Sequence, residues 1–426
     1  MSESALETRI AALEAELHEL RLQRLQSLGQ APRALDGIRI LDLSRYIFGP
    51  FCTQMLADMG ADVIKIEPRE KGDPSRQAGN VRVNGDSASF LARNRNKRSL
   101  TLDLREPEGK EVIRRLTRRS DVLIHNFRPG VMARLGLDPE RLRPLNPSLI
   151  YCSLSGYGQE GPHAERPGQD LLVQGMSGII STTGWEGGPP VAVGTYLADV
   201  TGALTAAYGV VTALQARSRY GVGQEVEISL LDAMIALQSM DATVFLNSGA
   251  VPPRSGSGHW MISQPYGVFP TKDKWLVLNA HSDEWWRRLR VVPEFAALSE
   301  DPRFAERESR RNHGGELVNL LEDILCTRTR DDWLAYLAKY DVLCAPVYDY
   351  AELFADPQVR LNAMIASQPH PKGGSVKVVG LPVNLSATPG EVGPLAPALG
   401  AHTEDILMSL GYDESDILRL REQHII

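Results

Sequence analysis

The feature that most constrains this chain is an alternation of apolar strands and helical stretches through its first half. IRILDLS, Ile38 to Ser44, is a continuous apolar strand. Pro50 stands where a helix begins, FCTQMLADMGA supplies that helix with Gly60 at its stop, and DVIKIE is the next strand. That is a parallel βαβ unit. SLTLDL, the helical PEGKEVIRRLTRRS and DVLIHNF make a second, and SLIYCSLSG follows after a further helical stretch. Such alternation predicts an α/β fold, an open Rossmann-like parallel sheet with helices on both faces.

With 426 residues the chain exceeds what one hydrophobic core usually serves, so a second, smaller α+β domain is expected. Leu6, Ile10, Leu13, Leu17 and Leu20 recur at spacings of four and three, which predicts an amphipathic helix over 4–27. Its stripe could pack on the protein's own body or on another chain. GQAPRALDG then reads as a linker. The expected organisation is an N-terminal helix over 1–30, the large domain over 31–240, a linker over 241–261, the small domain over 262–345, a linker over 346–373, and a return to the large domain over 374–426. Within the small domain YGVFP and WLVLNA flank a turn and predict a hairpin. No internal repeat is visible.

Charge and cysteines narrow the setting. Lys and Arg number 46 against 53 Asp and Glu, a net −7, which disfavours a nucleic-acid partner. The four cysteines, Cys52, Cys152, Cys326 and Cys344, show neither C-x-x-C spacing nor the density of a disulfide framework. The start MSESALETRIAALEAEL is acidic and helical, unlike a signal peptide. The uncharged run from Val200 to Ala216 falls short of the roughly 20 apolar residues of a spanning helix, so no membrane partner is expected and the location is read as cytoplasmic.

Several motifs fail in context. Gly156, Gly158 and Gly161 spell G-x-G-x-x-G after a strand, but Pro162 and Pro167 follow where a helix would have to open on a pyrophosphate. Glu67 ends the second strand where a ribose-binding acid would sit, yet the first βα turn, SRYIFGP, lacks the glycines. Ser155 and Ser177 both miss a G-x-S-x-G elbow. The nine histidines show no zinc spacing, so no metal is expected. Basic residues cluster instead: Arg93, Arg95, Lys97 and Arg98, then Arg105, Arg128 and Arg134. Near strand ends of a nucleotide-type sheet they suit phosphates, with a solvated charged face as the plain alternative. Asn126 and Phe127 offer an amide and an aromatic face to an adenine ring.

Asp199 stands at the head of the uncharged run. As an N-cap it would accept hydrogen bonds from the first backbone N–H groups of the helix, a structural role contributing about 1 kcal/mol. The helix dipole favours its ionised form, the form that attacks a carbonyl. Gly202, Ala203, Ala206, Ala207 and Gly209 behind it permit close backbone packing and a rigid placement.

Taken together, GIRILDLSRYIFGPFCTQMLADMGADVIKIE, NRNKRSLTLDL, HNFRPGVMARLG, TTGWEGGPPVAVGTYLADVTG and GVGQEVEISLLDA resemble the class III (CaiB/BaiF-type) CoA-transferases, formyl-CoA transferase among them. The likeness runs in detail from about Leu35 to Ala242 and more loosely through PYGVFPTKDKW to the end. It implies that Asp199 is the nucleophile, that an acyl-CoA thioester is a substrate with no tightly bound cofactor, and that a carboxylic acid is the acceptor. It also implies an interlocked homodimer. Asp170 matches an acidic active-site residue. The implied CoA site comprises Ile47, Phe48, Leu102, Leu104, Arg105, Asn126, Phe127, Arg128 and Arg134. Formyl-CoA transferase has glutamine and alanine where this chain has Ile47 and Phe48; a Phe there would narrow the site, which leaves substrate size open. The loop that covers the intermediates corresponds to RSGSGHW, with Gly256 and Gly258.

Two other readings share the resemblance. α-Methylacyl-CoA racemase is similar even at Asp199 but uses a histidine where this chain has Gln169, and an amide cannot take an α-proton near neutral pH. A CoA-binding subunit without turnover would not need Asp199. Arg45, beside Tyr46 at the end of the first strand, is a candidate partner for the second carboxylate of a dicarboxylic acid such as succinate, malate or mesaconate.

Overall fold

The computed structural model describes residues 2–27 and 31–426; Met1 and residues 28–30, which include the start of the predicted linker, lie outside the described residues. The predicted alternation gives β1 (Arg39–Asp42), β2 (Asp62–Glu67), β3 (Lys97–Thr101), β4 (Val122–His125) and β5 (Ile150–Ser155), joined by β6 (Glu225–Ser229). All six are parallel, in the order β3-β2-β1-β4-β5-β6. β6 was not among the predicted strands. Its sequence EVEIS alternates charged and apolar residues, as suits an edge strand with one face toward solvent.

Strand order reverses at β1, which pairs with β2 through Arg39 opposite Asp62 and with β4 through Ile40 opposite Val122. Connections therefore leave the carboxyl ends of β1 and β4 in opposite directions and open a crevice there, the usual ligand position in such sheets. Helices α1 (Glu3–Ser27), α2 (Phe48–Asp58) and α3 (Pro107–Thr117) accompany the first half. On α1 the leucines Leu6, Leu13 and Leu20 are exposed. Leu41, Ile64, Leu100 and Leu123 of the sheet share one core with Val112, Ile113 and Leu116 of α3. Ile406, Leu407 and Leu420, from helices Thr403–Ser409 and Glu414–Glu422, close that core, so the chain's tail packs on the sheet it left.

A buried charge network fixes the turn after β1. Lys97 donates to Asp42 at 3.0 Å, Thr53 donates to the same carboxylate at 2.7 Å, and Lys65 forms an ion pair with Asp73 at 2.8 Å and donates to the Ser44 carbonyl at 3.0 Å. Burial alone would raise the Asp42 pKa, but the charges of Lys97 and Lys65 hold it well below the usual carboxylate range. The basic cluster predicted to meet phosphate is spent differently. Arg95 forks onto Asp58 at 2.9 and 2.7 Å, Lys97 joins the network, Arg98 forks onto Asp62 at 2.8 and 2.6 Å, and Arg93 donates to Ser89 at 3.0 Å. These residues lie on and before the amino end of β3, whereas the crevice opens at carboxyl ends.

The chain divides into two compact units: one holds everything up to Asp170 with Ala198–Ala233 and Leu361–Ile426, the other Leu171–Leu197 with Met234–Arg360. The stretch from 171 to 197, expected in the large domain, thus belongs to the second unit. That unit carries β7 (Tyr266–Pro270) and β8 (Trp275–Asn279), the expected hairpin, extended by β9 (Leu343–Pro346) into an antiparallel sheet of order β9-β8-β7. Phe269, Leu276, Leu278, Trp286, Phe295 and Trp333 form its core.

Candidate active site

Helix α4 (Leu197–Tyr220) begins two residues before Asp199, which therefore sits inside the first turn and is not the cap. Its own backbone N–H donates to Asp170 Oδ1 at 3.0 Å, so Asp170 satisfies a helix-start donor that the sequence assigned to Asp199. Asp170 is buried at the start of helix Asp170–Met176, while Gln169 beside it is exposed. Burial pushes the Asp199 pKa up to about 7, the Asp170 charge adds to that rise, and Arg93 opposes it. The expected help from the helix dipole, at most about 1 kcal/mol, is outweighed by lost solvation and a like charge.

Small residues on α4 do what their size suggests. A methyl group added at Gly202 would come within 2.7 Å of Leu230 and 2.9 Å of Phe48, and one at Gly209 within 3.1 Å of Val226 on β6. The ring of Phe48 thus presses on α4 at the third residue after Asp199 and ties the first βα turn to the carboxylate's helix. At 24 residues α4 is long and apolar enough by length and composition to cross a membrane, which corrects the sequence estimate: it runs past the uncharged stretch through Arg217 and Arg219. Ala198, Gly202, Ala203, Ala206 and Val210 are buried on one side of it, while about a third of its apolar stretch, 33%, is buried in all. Leu204, Tyr208 and Val211, spaced four and three, are exposed.

Two adjoining clefts occupy the crevice at the carboxyl ends of the strands. One, of about 500 Å³, gathers Leu102, Leu104, Arg105 and Phe127 from the predicted set. The other, of about 460 Å³, gathers Asn126, Phe127, Arg128 and Arg134. Arg45, Phe127 and Val131 line both. The Arg45 guanidinium lies over the Phe127 ring, 4.9 Å from its centroid. Asn126 accepts the Arg45 backbone N–H and donates to its carbonyl, both at 2.8 Å, so the amide expected to meet adenine holds the first βα turn instead. Ile47 and Phe48 line neither cleft; Ile47 precedes α2 and Phe48 is buried against α4.

Glu67 is likewise committed. It accepts two bonds of 2.7 Å from Arg76 and one of 2.7 Å from Ser99, which leaves no ribose-binding acid there. Beyond the predicted set the larger cleft recruits Arg69 and Lys71 from PREKG after β2. A basic pair following a strand's carboxyl end was the available signal. Gly156 approaches Gly168 closely, and the next helix after β5 begins only at Asp170, so no helix opens on the G-x-G-x-x-G glycines. Gly256 and Gly258 belong to the second unit. A methyl at Gly256 would meet the Trp185 ring at 2.5 Å and one at Gly258 the Tyr266 carbonyl at 2.6 Å, so both are held by tight packing. Among the described residues no group of three or more His, Cys, Asp or Glu side chains is arranged to hold a metal.

Known proteins are similar to this chain in sequence and fold. The model of CoA-transferase family III matches residues 35–403. A succinyl-CoA–D-citramalate CoA-transferase of Chloroflexus aurantiacus is 36% identical over 397 residues, covering 93% of this chain and 98% of its own. A succinate–glutarate CoA-transferase of Agrobacterium fabrum is 38% identical over 382 residues, covering 88% and 95%. A solved CaiB/BaiF family protein of Brucella suis superposes with a TM-score of 0.81 at 37% identity, covering 89% of this chain and all of that one.

Proposed function

The chain belongs to CoA-transferase family III, and on that premise we propose that it moves CoA from an acyl-CoA to a dicarboxylic acid through covalent intermediates on Asp199. The observation that carries this reading is Asp199 itself: a partly buried carboxylate in the first turn of α4, its backbone held by Asp170 and its pKa raised to about 7. A desolvated carboxylate of raised basicity is a stronger nucleophile than one in water, and near neutral pH about half of it is ionised.

In the proposed sequence a carboxylate oxygen of Asp199 attacks the thioester carbonyl, the C–S bond breaks, and an aspartyl-acyl anhydride forms as CoA leaves as thiolate. The thiolate attacks the aspartyl carbonyl, giving an aspartyl-CoA thioester and releasing the donor acid as carboxylate. The acceptor carboxylate attacks that thioester, forming a second anhydride and freeing the thiolate again. Attack of thiolate on the acceptor's acyl carbon gives the new acyl-CoA and restores Asp199. Thioester energy is carried throughout, so no ATP enters.

CoA is proposed to lie in the two adjoining clefts, with Arg105, Arg128 and Arg134, joined by Arg45, Arg69 and Lys71, toward its phosphates and Phe127 toward its base. Two transferases named for succinyl-CoA or succinate, with D-citramalate and glutarate, favour a dicarboxylic acceptor. The exposed Leu204, Tyr208 and Val211 face of α4 supports a homodimer.

The test is a mass-spectrometric screen of acyl-CoA donors against an acid panel, followed by trapping on the enzyme during turnover. Transfer with an adduct on Asp199, lost in Asp199→Ala, is expected. Wild-type transfer rates in Asp199→Ala would remove the nucleophile, and exchange of the α-proton without transfer would favour epimerisation.

A further inference from the structure

Ser44, Arg45 and Tyr46 lie between β1 and α2, so their backbone groups have neither a strand ladder nor a helix to bond within and need partners from elsewhere. Two peptide groups flank the Cα of Arg45. In the first, Lys65 Nζ donates to the Ser44 carbonyl at 3.0 Å and the Arg45 N–H donates to Asn126 at 2.8 Å. In the second, the Asn126 amide donates to the Arg45 carbonyl at 2.8 Å and the Tyr46 N–H donates to Asp73 Oδ1 at 3.2 Å. Three side chains thus hold all four polar ends, and with them the direction in which the Arg45 side chain leaves the backbone.

Lys65 and Asp73 are buried, line neither cleft of the crevice, and form an ion pair with each other at 2.8 Å. A buried pair of this kind is often no more stabilising than well-packed apolar side chains of the same volume, so what it holds in place matters more. Asp73 Oδ1 also accepts the N–H and the hydroxyl of Ser75 at 2.8 and 2.7 Å, which makes it a fixed anchor for Tyr46. Tyr46 has a φ of 66°, in the left-handed region where a bulky residue is an outlier. Such a conformation persists only where its surroundings over-determine it. Tyr46 is 56% exposed, so burial of its ring does not hold it there. Arg45, next to it, lines both clefts with its guanidinium over Phe127. Asp73 acts on that guanidinium by charge as well: burial lowers the Arg45 pKa and the Asp73 carboxylate opposes the fall.

We propose that Asp73, anchored by Lys65, is a positioning residue for acyl-CoA binding: it grips the Arg45–Tyr46 peptide and so presents the Arg45 guanidinium to the clefts in one orientation, aimed at a phosphate of CoA. This role rests on the proposed placement of CoA in those clefts. Every residue it uses belongs to the first unit.

The experiment measures the dissociation constant of CoA without turnover, by isothermal titration calorimetry on the full chain. Wild type is compared with Arg134→Ala, Arg45→Ala, Asp73→Ala and the Arg45→Ala/Asp73→Ala double variant. Arg134→Ala and Arg45→Ala are each expected to weaken binding at least fivefold, and Asp73→Ala about as much as Arg45→Ala. In the Arg45→Ala background, Asp73→Ala is expected to change the constant less than twofold, because its effect runs through Arg45. KM for acyl-CoA follows the same pattern while kcat moves less than twofold. Asp73→Ala leaves the buried Lys65 without its nearest counter-charge, so folding is checked by circular dichroism and a second pair of variants acts from the exposed side. Tyr46→Pro has no N–H to give Asp73 and cannot adopt a positive φ, whereas Tyr46→Ala lacks the phenol and keeps the N–H. Tyr46→Pro is expected to bind CoA at least fivefold more weakly than Tyr46→Ala. Equal affinities in that pair, or an Asp73→Ala effect as large without Arg45 as with it, overturn the positioning role. If Arg134→Ala weakens binding and Arg45→Ala does not, CoA lies in the clefts and the positioning role alone fails. If wild type binds no CoA, or neither arginine matters, the placement of CoA fails and the positioning role falls with it.

Discussion

Replacing Asp199 with asparagine is expected to stabilise the protein above neutral pH while abolishing transfer. The carboxyl is driven from 3.8 to about 7 by burial first and by Asp170 second. That is roughly three units, and at about 1.36 kcal/mol per unit the ionised form is disfavoured in the folded protein by about 4 kcal/mol. Because the folded pKa lies above the unfolded one, the folded state holds this proton more tightly. The stability so gained is complete below about pH 4 and is lost as pH rises toward 7, beyond which the ionised group remains a fixed burden. Asparagine keeps the shape and carries no charge. The difference between variant and wild type therefore starts near zero at pH 4, grows through pH 7, and levels off at up to about 4 kcal/mol. Urea unfolding from pH 4 to 8.5 measures it, followed by signals from both units so that a non-two-state transition is recognised. The same pKa should appear in function, with kcat/KM for acyl-CoA rising tenfold per pH unit below an apparent pKa near 7 and flat above it. Parallel stability curves for the two proteins, or a rate profile already flat from pH 5, would show that Asp199 is solvated and ionised throughout, refuting both the desolvation and the poised nucleophile.

Two further changes test how the site is held. Gly202→Ala places a methyl 2.7 Å from Leu230 and 2.9 Å from Phe48, so a loss of about 1–3 kcal/mol of stability is expected by thermal denaturation. A fall in kcat larger than any change in KM should accompany it, with partial recovery when Phe48→Leu makes room. Asn126→Ala removes both 2.8 Å bonds to the Arg45 backbone, so the turn after β1 loosens and KM for acyl-CoA is expected to rise about tenfold with kcat little altered. An unchanged KM would show that Arg45 holds its place without the amide.

Much of the fold was legible because burial leaves a mark on composition. Strands β1, β2, β4 and β5 are short, largely apolar runs punctuated by Gly and Pro, and those runs report a covered sheet without any knowledge of partners, whereas β3, KRSLT, carries Lys97 and Arg98. β6 escaped because an edge strand needs to be apolar on one face only, and EVEIS can be read as a helix entry. The loop clusters of the crevice were also readable: Leu102, Leu104 and Arg105, and Asn126, Phe127, Arg128 and Arg134, stand just after strands. Partner choice was not. Arg95, Lys97 and Arg98 look identical in sequence to phosphate-binding arginines and lysines, and only the placement of Asp58, Asp42 and Asp62 commits them to ion pairs.

Asp199 itself divides along the same line. By itself the sequence determined that one acid heads a helix of small residues, because the period of apolar residues and the absence of charge are local properties. Only the tertiary structure decided its protonation, since Asp170, 29 residues away, and the surrounding burial set the electrostatic balance. Solvation and charge pairing depend on distances through space, and a linear order of residues contains those distances only after the chain has folded.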